Sequence, residues 1–333
     1  MGKILQFDEA DGHRRLRVVD ATPPVLRSDE VLYRVESFAL NRSDLLLLND
    51  EHYSVASLPA RICSEAAGVV QEIGSGVTNV AVGDRVSSIP FHHSESIRFN
   101  VAGEFAVTPE RYLLRTPQGL NRAESCAITM QYLTAYYALH DVAALSSGET
   151  LLVSAGSSSA ALAAIQIGKL SGATVIATTR DGSKKSNIEA AGADIVLVSD
   201  HADLASDLLE ATAGRGAEVA YDPVGGSFVN RYISGIAFGG RVVLYGTLTG
   251  SRLDLDLVQL VRRNVVLYPY SLFNFVLTDE QLLRGRDFLT SHCGEGGLRP
   301  IIDREFAWAE ALAAFEYLER HEHTGKVVVS LEG

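Results

Sequence analysis

Between Glu30 and Asn41 the chain alternates, with Val31, Tyr33 and Val35 on one set of positions and Leu32, Arg34 and Glu36 on the other. A period of two sends successive side chains to opposite faces, so this segment predicts a half-buried β-strand. Turn-forming residues surround it. Pro23-Pro24 lies before it, Gly74-Ser75-Gly76 follows a second apolar run over 67–73, and Gly83-Asp84 opens a third over 85–89. Strands spaced this closely predict a compact antiparallel barrel.

From about Asn121 the period changes. Ala, Leu and Tyr recur at helical spacing over 121–145, a short apolar run at 150–154 predicts a buried strand, and 160–170 predicts a helix with Leu162, Ile165 and Leu170 on one face. Short apolar runs then return at 175–178, 195–198, 219–221, 242–245 and 265–268. Strands alternating with helical segments predict βαβ units, hence a parallel sheet with helices on both faces. The tail reads as barrel again, with an amphipathic helix from Trp308 to Leu318 and a last strand from Lys326 to Ser330.

Composition narrows the function classes. The chain has 333 residues, which favours two domains over one core. A net charge of −12 opposes the cationic field that nucleic acid or an anionic membrane attracts, so neither is an expected partner and any anion site must be local. Cys63, Cys126 and Cys293 form no CxxC pair, which argues against a disulfide framework or a thiolate zinc site and for burial as small apolar groups. No run reaches about 18 apolar residues, so no membrane span is expected. With no apolar leader near Met1, the expected location is cytoplasmic.

The segment Leu151-Leu152-Val153-Ser154-Ala155-Gly156-Ser157-Ser158-Ser159-Ala160-Ala161 reads as a strand, a turn of small residues and a helix start. Such a turn lets backbone N–H groups approach a pyrophosphate at the positive end of a helix. With one glycine only, a plain βα turn capped by serine is the alternative. The next strand end adds information. An NAD site has Asp or Glu there, about 20 residues on, to hold the ribose 2′-hydroxyl. Here stand Thr178-Thr179-Arg180, then Lys184-Lys185. Cations in place of a carboxylate favour a 2′-phosphate and hence NADPH; the alternative is a solvated basic helix start.

These motifs stand in register with Asn41-Arg42-Ser43-Asp44, Ser64-Glu65-Ala66-Ala67-Gly68-Val69-Val70, Gly74-Ser75-Gly76-Val77 and Gly83-Asp84-Arg85-Val86. They continue through Leu133-Thr134-Ala135-Tyr136, Ala163-Ala164-Ile165-Gln166, Gly192-Ala193-Asp194, Asp222-Pro223-Val224-Gly225-Gly226, Gly239-Gly240-Arg241-Val242 and Thr324-Gly325-Lys326-Val327-Val328. Over nearly its whole length the chain resembles the zinc-independent quinone oxidoreductase branch of the medium-chain dehydrogenase/reductase superfamily. The resemblance implies an α/β chain. A GroES-like β-barrel catalytic domain would come from residues 1–124 and 270–333, and a Rossmann doubly wound parallel-sheet domain binding NADPH from 125–269.

It also implies residue roles. Zinc-dependent relatives bind their catalytic metal at positions matching Asn41, Ser64 and Met130, which are poor Zn²⁺ ligands. Nothing between Ile89 and Ala106 matches their four-cysteine structural zinc lobe. His92-His93 and His321-Glu322-His323 are the dense histidine sites, with surface or structural roles set against metal binding. Cofactor contacts would fall on Thr134, Ala155, Gly156, Ser157, Ser158, Ser159, Thr179, Arg180, Lys184, Ser199, Tyr245, Gly246 and Phe273. Lys184 matches a lysine that neutralises the 2′-phosphate. Ser199 stands where many relatives stack a tyrosine on adenine, a loss that Arg180 would offset.

The catalytic candidates are Tyr53 and Asn41. Without a metal to stabilise an alkoxide, the accessible chemistry is hydride addition to an activated C=C or a quinone, where charge delocalises and a proton donor or hydrogen bond suffices. Tyr53 is a catalytic acid, a pocket wall or a surface aromatic. Asn41 is placed to hold that tyrosine, a substrate oxygen or the nicotinamide amide. Asp44 and Glu65 suggest an acid/base pair, with a structural hydrogen-bonding shell as the alternative. Aromatic residues at Tyr268, Tyr270, Phe273 and Phe275 suit either a flat apolar substrate or ordinary packing, and in relatives this region contributes a dimer edge strand. The expected activity is NADPH-dependent reduction of a quinone, enone or enoyl substrate by a homodimer. An NADPH-binding sensor or scaffold with little turnover is the alternative.

Overall fold

The computed structural model describes residues 1–10, 12–52, 55–180, 182–200, 203–295 and 297–331. The chain divides into two units, Met1–Met130 with Phe275–Gly333, and Gln131–Asn274.

In the first unit the long strand Glu30–Leu40 is central. Lys326–Ser330 pairs antiparallel with it on one side and Glu65–Ile73 on the other, so both ends of the chain build one sheet. Ile302–Ala307 extends the sheet beyond Lys326–Ser330, Arg85–Ser88 and Leu113–Arg115 extend it beyond Glu65–Ile73, and Phe105–Pro109 pairs with Glu30–Leu40. A second sheet joins Gly2–Ala10 to His13–Ala21 and Ala60–Arg61. The expectation that Glu30–Asn41 is half-buried is corrected: the strand is buried on both faces apart from Arg34. Its second face is covered because Leu32 packs with Ile4, Phe105 and Val107. Glu36 is buried there too, near Arg34, Arg85 and Arg122 at 3.5, 3.4 and 3.9 Å.

The second unit is a six-stranded parallel sheet. Its strands in chain order are Thr150–Val153, Thr174–Thr179, Ile195–Val198, Ala217–Asp222, Ile236–Leu244 and Val266–Pro269, and in space they run third, second, first, fourth, fifth, sixth. This is the doubly wound order, with the reversal at the first strand. Leu152, Ile176, Ala220 and Val242 pack on one face against Leu204 and Leu208 of the helix Leu204–Ala211. On the other face Gly168, in the helix Ser159–Leu170, lies so close that a Cβ would sit 2.8 Å from Leu151 and 2.9 Å from Val175. The alternation of side chains along each strand thus gives each face its own helix.

The helical spacing over 121–145 resolves into three pieces, Arg122–Ser125, Thr129–Tyr136 and a π-helical turn Tyr137–Val142. Asn121 caps the first by accepting from the Glu124 N–H at 2.8 Å. Ala123, Cys126 and Ala127 pack on Ala39, Ala67 and Val328, which keeps this segment with the barrel and moves the unit boundary a few residues past 124. All three cysteines are buried and unpaired. Among the described residues no helix is long and apolar enough to cross a membrane.

Candidate functional site

At the end of the first parallel strand, Ser154 donates its N–H to Tyr221 at 3.1 Å, and Ala155 then takes φ +50°. A left-handed alanine costs about 1 kcal/mol, a strain that recurs at ligand sites. Gly156 donates to the Thr178 carbonyl at 2.7 Å, and a Cβ on it would lie 3.0 Å from that oxygen and 3.1 Å from the Ala177 Cβ. The glycine therefore lets the turn lie against the second strand. Ser158 caps the helix Ser159–Leu170, its hydroxyl accepting from the Ala161 N–H at 3.3 Å. Ser157, Ser158 and Ser159 are all half-buried. A twelve-residue helix with hydroxyls at its positive end suits a phosphate.

The second strand ends at Thr179, whose carbonyl accepts from the Ser199 N–H at 2.7 Å and hydroxyl at 3.2 Å. Ser199 is buried, and Arg231 donates to its carbonyl, so the residue where an adenine-side contact was expected ties two strand ends together. Arg180 is exposed and Lys184 half-buried, while Lys185 lies 3.7 Å from Glu189. Positive charge follows this strand where an NAD site would carry a carboxylate.

Asp222 ends the fourth strand and is fully buried. Its carboxylate accepts from Tyr232 Oη at 2.6 Å and from the N–H groups of Val224 and Gly225 at 2.7 and 3.4 Å. Burial pushes its carboxyl above the usual range while these donors pull against it. Tyr245 follows the fifth strand and stacks on Tyr221 with centroids 3.9 Å apart. Burial raises both phenols, so they stay neutral. A Cβ on Gly246 would lie 2.6 Å from the Pro223 carbonyl oxygen. The turns at 154–159, 179–180, 222–226 and 245–246 thus all follow the carboxyl ends of parallel strands, the edge where doubly wound sheets bind ligands. Asp222 belongs to this edge, although the sequence offered it only within a motif. Thr134 is buried in Thr129–Tyr136, and Phe273 is half-buried in the turn Leu272–Phe275.

In the first unit, register assembles a polar cluster. Val327 pairs with Leu40 and Ala39 with Glu65, which brings Lys326, Asn41 and Glu65 together at the ends of three adjacent strands. Lys326 Nζ donates to Asn41 Oδ1 at 2.6 Å and is paired with Glu65 Oε1. Asn41 Nδ2 donates to the same Glu65 oxygen at 3.1 Å. Glu65 Oε2 accepts from Thr129 Oγ1 at 3.1 Å and the Met130 N–H at 2.8 Å. Asp44 accepts the Asn41 N–H at 2.8 Å as the helix Arg42–Leu48 begins. Burial raises the Asp44 carboxyl to about 7, with Glu65 adding repulsion and Asn41 and Lys326 opposing it. Burial likewise raises the Cys63 thiol. With two donors on each oxygen, Glu65 serves as structural support; Lys326, which the sequence offers as a strand and motif residue without a site role, is the missed member of the cluster. Tyr53 lies outside the described residues.

A zinc ion does not fit this cluster. Asn41, Ser64 and Met130, which the resemblance matches to metal ligands, offer an amide, a hydroxyl and a thioether, and the carboxylate beside them is neutralised by an ammonium. Among the described residues no group of three His, Cys, Asp or Glu side chains is placed to hold a metal. His92 is exposed. His93 packs between Phe91 and Phe99, and burial lowers it to about 4; His321 lies 3.2 Å from Arg42.

Residues 27–118 match the model of the alcohol dehydrogenase GroES-like domain, and residues 161–282 that of zinc-binding dehydrogenase. A quinone oxidoreductase of Pseudomonas aeruginosa is 29% identical over 99% of this chain and 99% of its own length. Mycoketide-CoA synthase of Mycobacterium tuberculosis is 30% identical over 96% of this chain, which corresponds to 7% of that protein. The solved structure of a mycobacterial protein complexed with NADPH superposes with a TM-score of 0.88 at 27% identity, covering 99% of this chain and 100% of the other. Sequence, strand order and end-to-end likeness agree, and the chain belongs to the medium-chain dehydrogenase/reductase superfamily as a quinone oxidoreductase-like oxidoreductase.

Proposed function

We propose that the chain is an NADPH-dependent, zinc-independent reductase that transfers hydride to a quinone or an α,β-unsaturated carbonyl. The observation that carries this reading is the edge of the parallel sheet. There a serine-lined helix N-terminus is followed, at the next strand end, by Arg180 and Lys184 in place of a carboxylate. The relative solved with NADPH and the relative named quinone oxidoreductase support the same reading.

The residues present fit NADPH. The N–H groups and hydroxyls of 155–159 would take the pyrophosphate, Arg180 and Lys184 the 2′-phosphate, and Tyr245 and Gly246 line the same edge. NADPH supplies the hydride. Asn41, oriented by its cluster, offers an amide N–H to an oxygen on which charge builds, and Tyr53 supplies a proton. No Lewis acid enters, because delocalisation into an enolate or quinol spreads the charge.

We further propose a homodimer formed through the last parallel strand. Val266–Pro269 pairs with Ile236–Leu244 at the edge of its sheet, Val266 is exposed, and Leu257, Val258 and Val261 on the preceding helix are exposed as well. An open edge flanked by apolar side chains favours a second copy.

Steady-state assays of NADPH and NADH against 1,4-quinones, enones and enoyl thioesters test the activity, with fluorescence titration for affinity and metal analysis of the purified protein. Oxidation of NADPH by a quinone or enone without bound zinc is expected. Tight NADPH binding with no oxidation by any acceptor overturns the reductase reading in favour of a binding protein.

A further inference from the structure

We propose that Lys326 is a positioning residue for hydride transfer: it fixes the side-chain amide of Asn41 as a hydrogen-bond donor and supplies the buried positive charge that the cluster would otherwise draw from a metal. The inference rests on the reading above, in which Asn41 acts on the reacting oxygen.

The chemistry of the partners dictates the orientation. An ammonium only donates and a carboxylate only accepts. The Asn41 oxygen therefore faces Lys326 Nζ, at 2.6 Å, and its nitrogen faces Glu65 Oε1, at 3.1 Å. Turning the amide over would set N–H groups against the ammonium and the carbonyl oxygen against the carboxylate. Lys326 and Glu65 have no solvent exposure, whereas Asn41 is partly exposed. One Asn41 N–H is engaged by Glu65, leaving the other beyond what the cluster uses. What Asn41 offers outward is thus a donor, which suits an oxygen gaining negative charge and does not suit accepting a phenol proton.

The same contacts remove Glu65 from consideration as a base. Lys326 and Asn41 fill Oε1, and Thr129 and Met130 fill Oε2. The position is built by strand register: Lys326 opens the strand that pairs through Val327 with Leu40, immediately before Asn41. An ammonium on this strand reaches the amide and the carboxylate together, so the charge is covalently built into the barrel.

The test compares the doubly neutral variant Glu65→Gln/Lys326→Met with Asn41→Leu, using NADPH and 1,4-naphthoquinone. The double variant is expected to lose about tenfold or more in kcat while NADPH affinity from fluorescence titration stays within about twofold. Wild-type kcat in a folded double variant overturns the role of Lys326. If Asn41→Leu itself keeps wild-type kcat, the reading of Asn41 fails instead, and the proposal with it. Should the double variant not fold, the side-chain amide of Asn41 in the wild-type protein decides by NMR. Unequal exchange of its two protons with water is expected, and equal, fast exchange of both overturns the proposal.

Discussion

The ammonium of Lys326 and the carboxylate of Glu65 meet as a pair with 0% exposure on either side chain, contributed by the two strands that flank Glu30–Leu40. Removing one member leaves the other charged and buried. Glu65→Ala is expected to cost about 3–5 kcal/mol, because Lys326 loses its counter-ion. The doubly neutral variant should lose much less. Thermal unfolding of the three proteins measures this, and a single variant as stable as wild type would contradict the buried pairing.

Cofactor choice is expected to follow Arg180 and Lys184. Replacing both by alanine should weaken NADPH by about a hundredfold or more, since charge-assisted contacts to a phosphate are each worth about 1.5–3 kcal/mol. NADH should change little. Titration of both nucleotides checks this, and equal losses would show that the cations do not read the 2′-phosphate.

Gly246→Ala brings a Cβ to 2.6 Å from the backbone oxygen of Pro223, which has no flexible side chain to yield. A loss of about 1–3 kcal/mol is expected, together with weaker NADPH binding, because the turn after the fifth strand must move. Calorimetry and titration on the same sample measure both.

Asp44 gives stability a definite slope with pH. Its carboxyl titrates near 7 when folded, above its unfolded value of 3.8, so between these values the folded state holds more protons than the unfolded one. The stabilising contribution of this group is present at low pH and is lost as pH rises towards 7. Asp44→Asn should therefore gain stability relative to wild type as pH rises from about 4 to about 7, by up to about 1.4 kcal/mol per unit, and the gain should level off above that. Thermal midpoints across that range test it, and a constant difference would remove Asp44 as the cause.

Dimer formation through Val266–Pro269 predicts that Leu257→Lys with Val261→Lys lowers the molecular mass in sedimentation while leaving the fold intact. Both side chains are exposed in the single chain, so the substitutions create no buried charge there. An unchanged mass would exclude this edge as the interface.

Much of this architecture was legible because it is local. The run 195–198 is a strand at those residues, Lys326–Ser330 is the strand its run of three valines predicts, and Ser158 caps the helix the serine-rich turn suggested. The helix Asp279–His292 carries little signal in the sequence beyond the capping box of Thr278 and Gln281 at its start, because the segment is too polar to display a clear apolar face. The helix Leu257–Arg263 is obscure for the opposite reason: its exposed Leu257, Val258 and Val261 do not mark a buried stripe. The fifth strand extends back to Ile236, further than its apolar run, since Phe238, Gly239 and Gly240 interrupt the pattern where the register shifts between Ala217 and Val219. The polar cluster was only half visible. All three residues lie in motifs, but a lysine opening a strand has the appearance of a solvated end, and its burial follows from pairing with a strand formed near the other end of the chain.

That pairing also orders events during synthesis. The sheet of the first unit lacks a neighbour for Glu30–Leu40 until Lys326–Ser330 has left the ribosome, whereas the parallel sheet is complete once Pro269 has emerged. The nucleotide unit can therefore fold first, with the early barrel strands waiting for their last partner. A chain that stops before Lys326 lacks both that strand and the charge opposite Glu65, so the Asn41 amide is oriented only after a strand nearly 300 residues further on has been made.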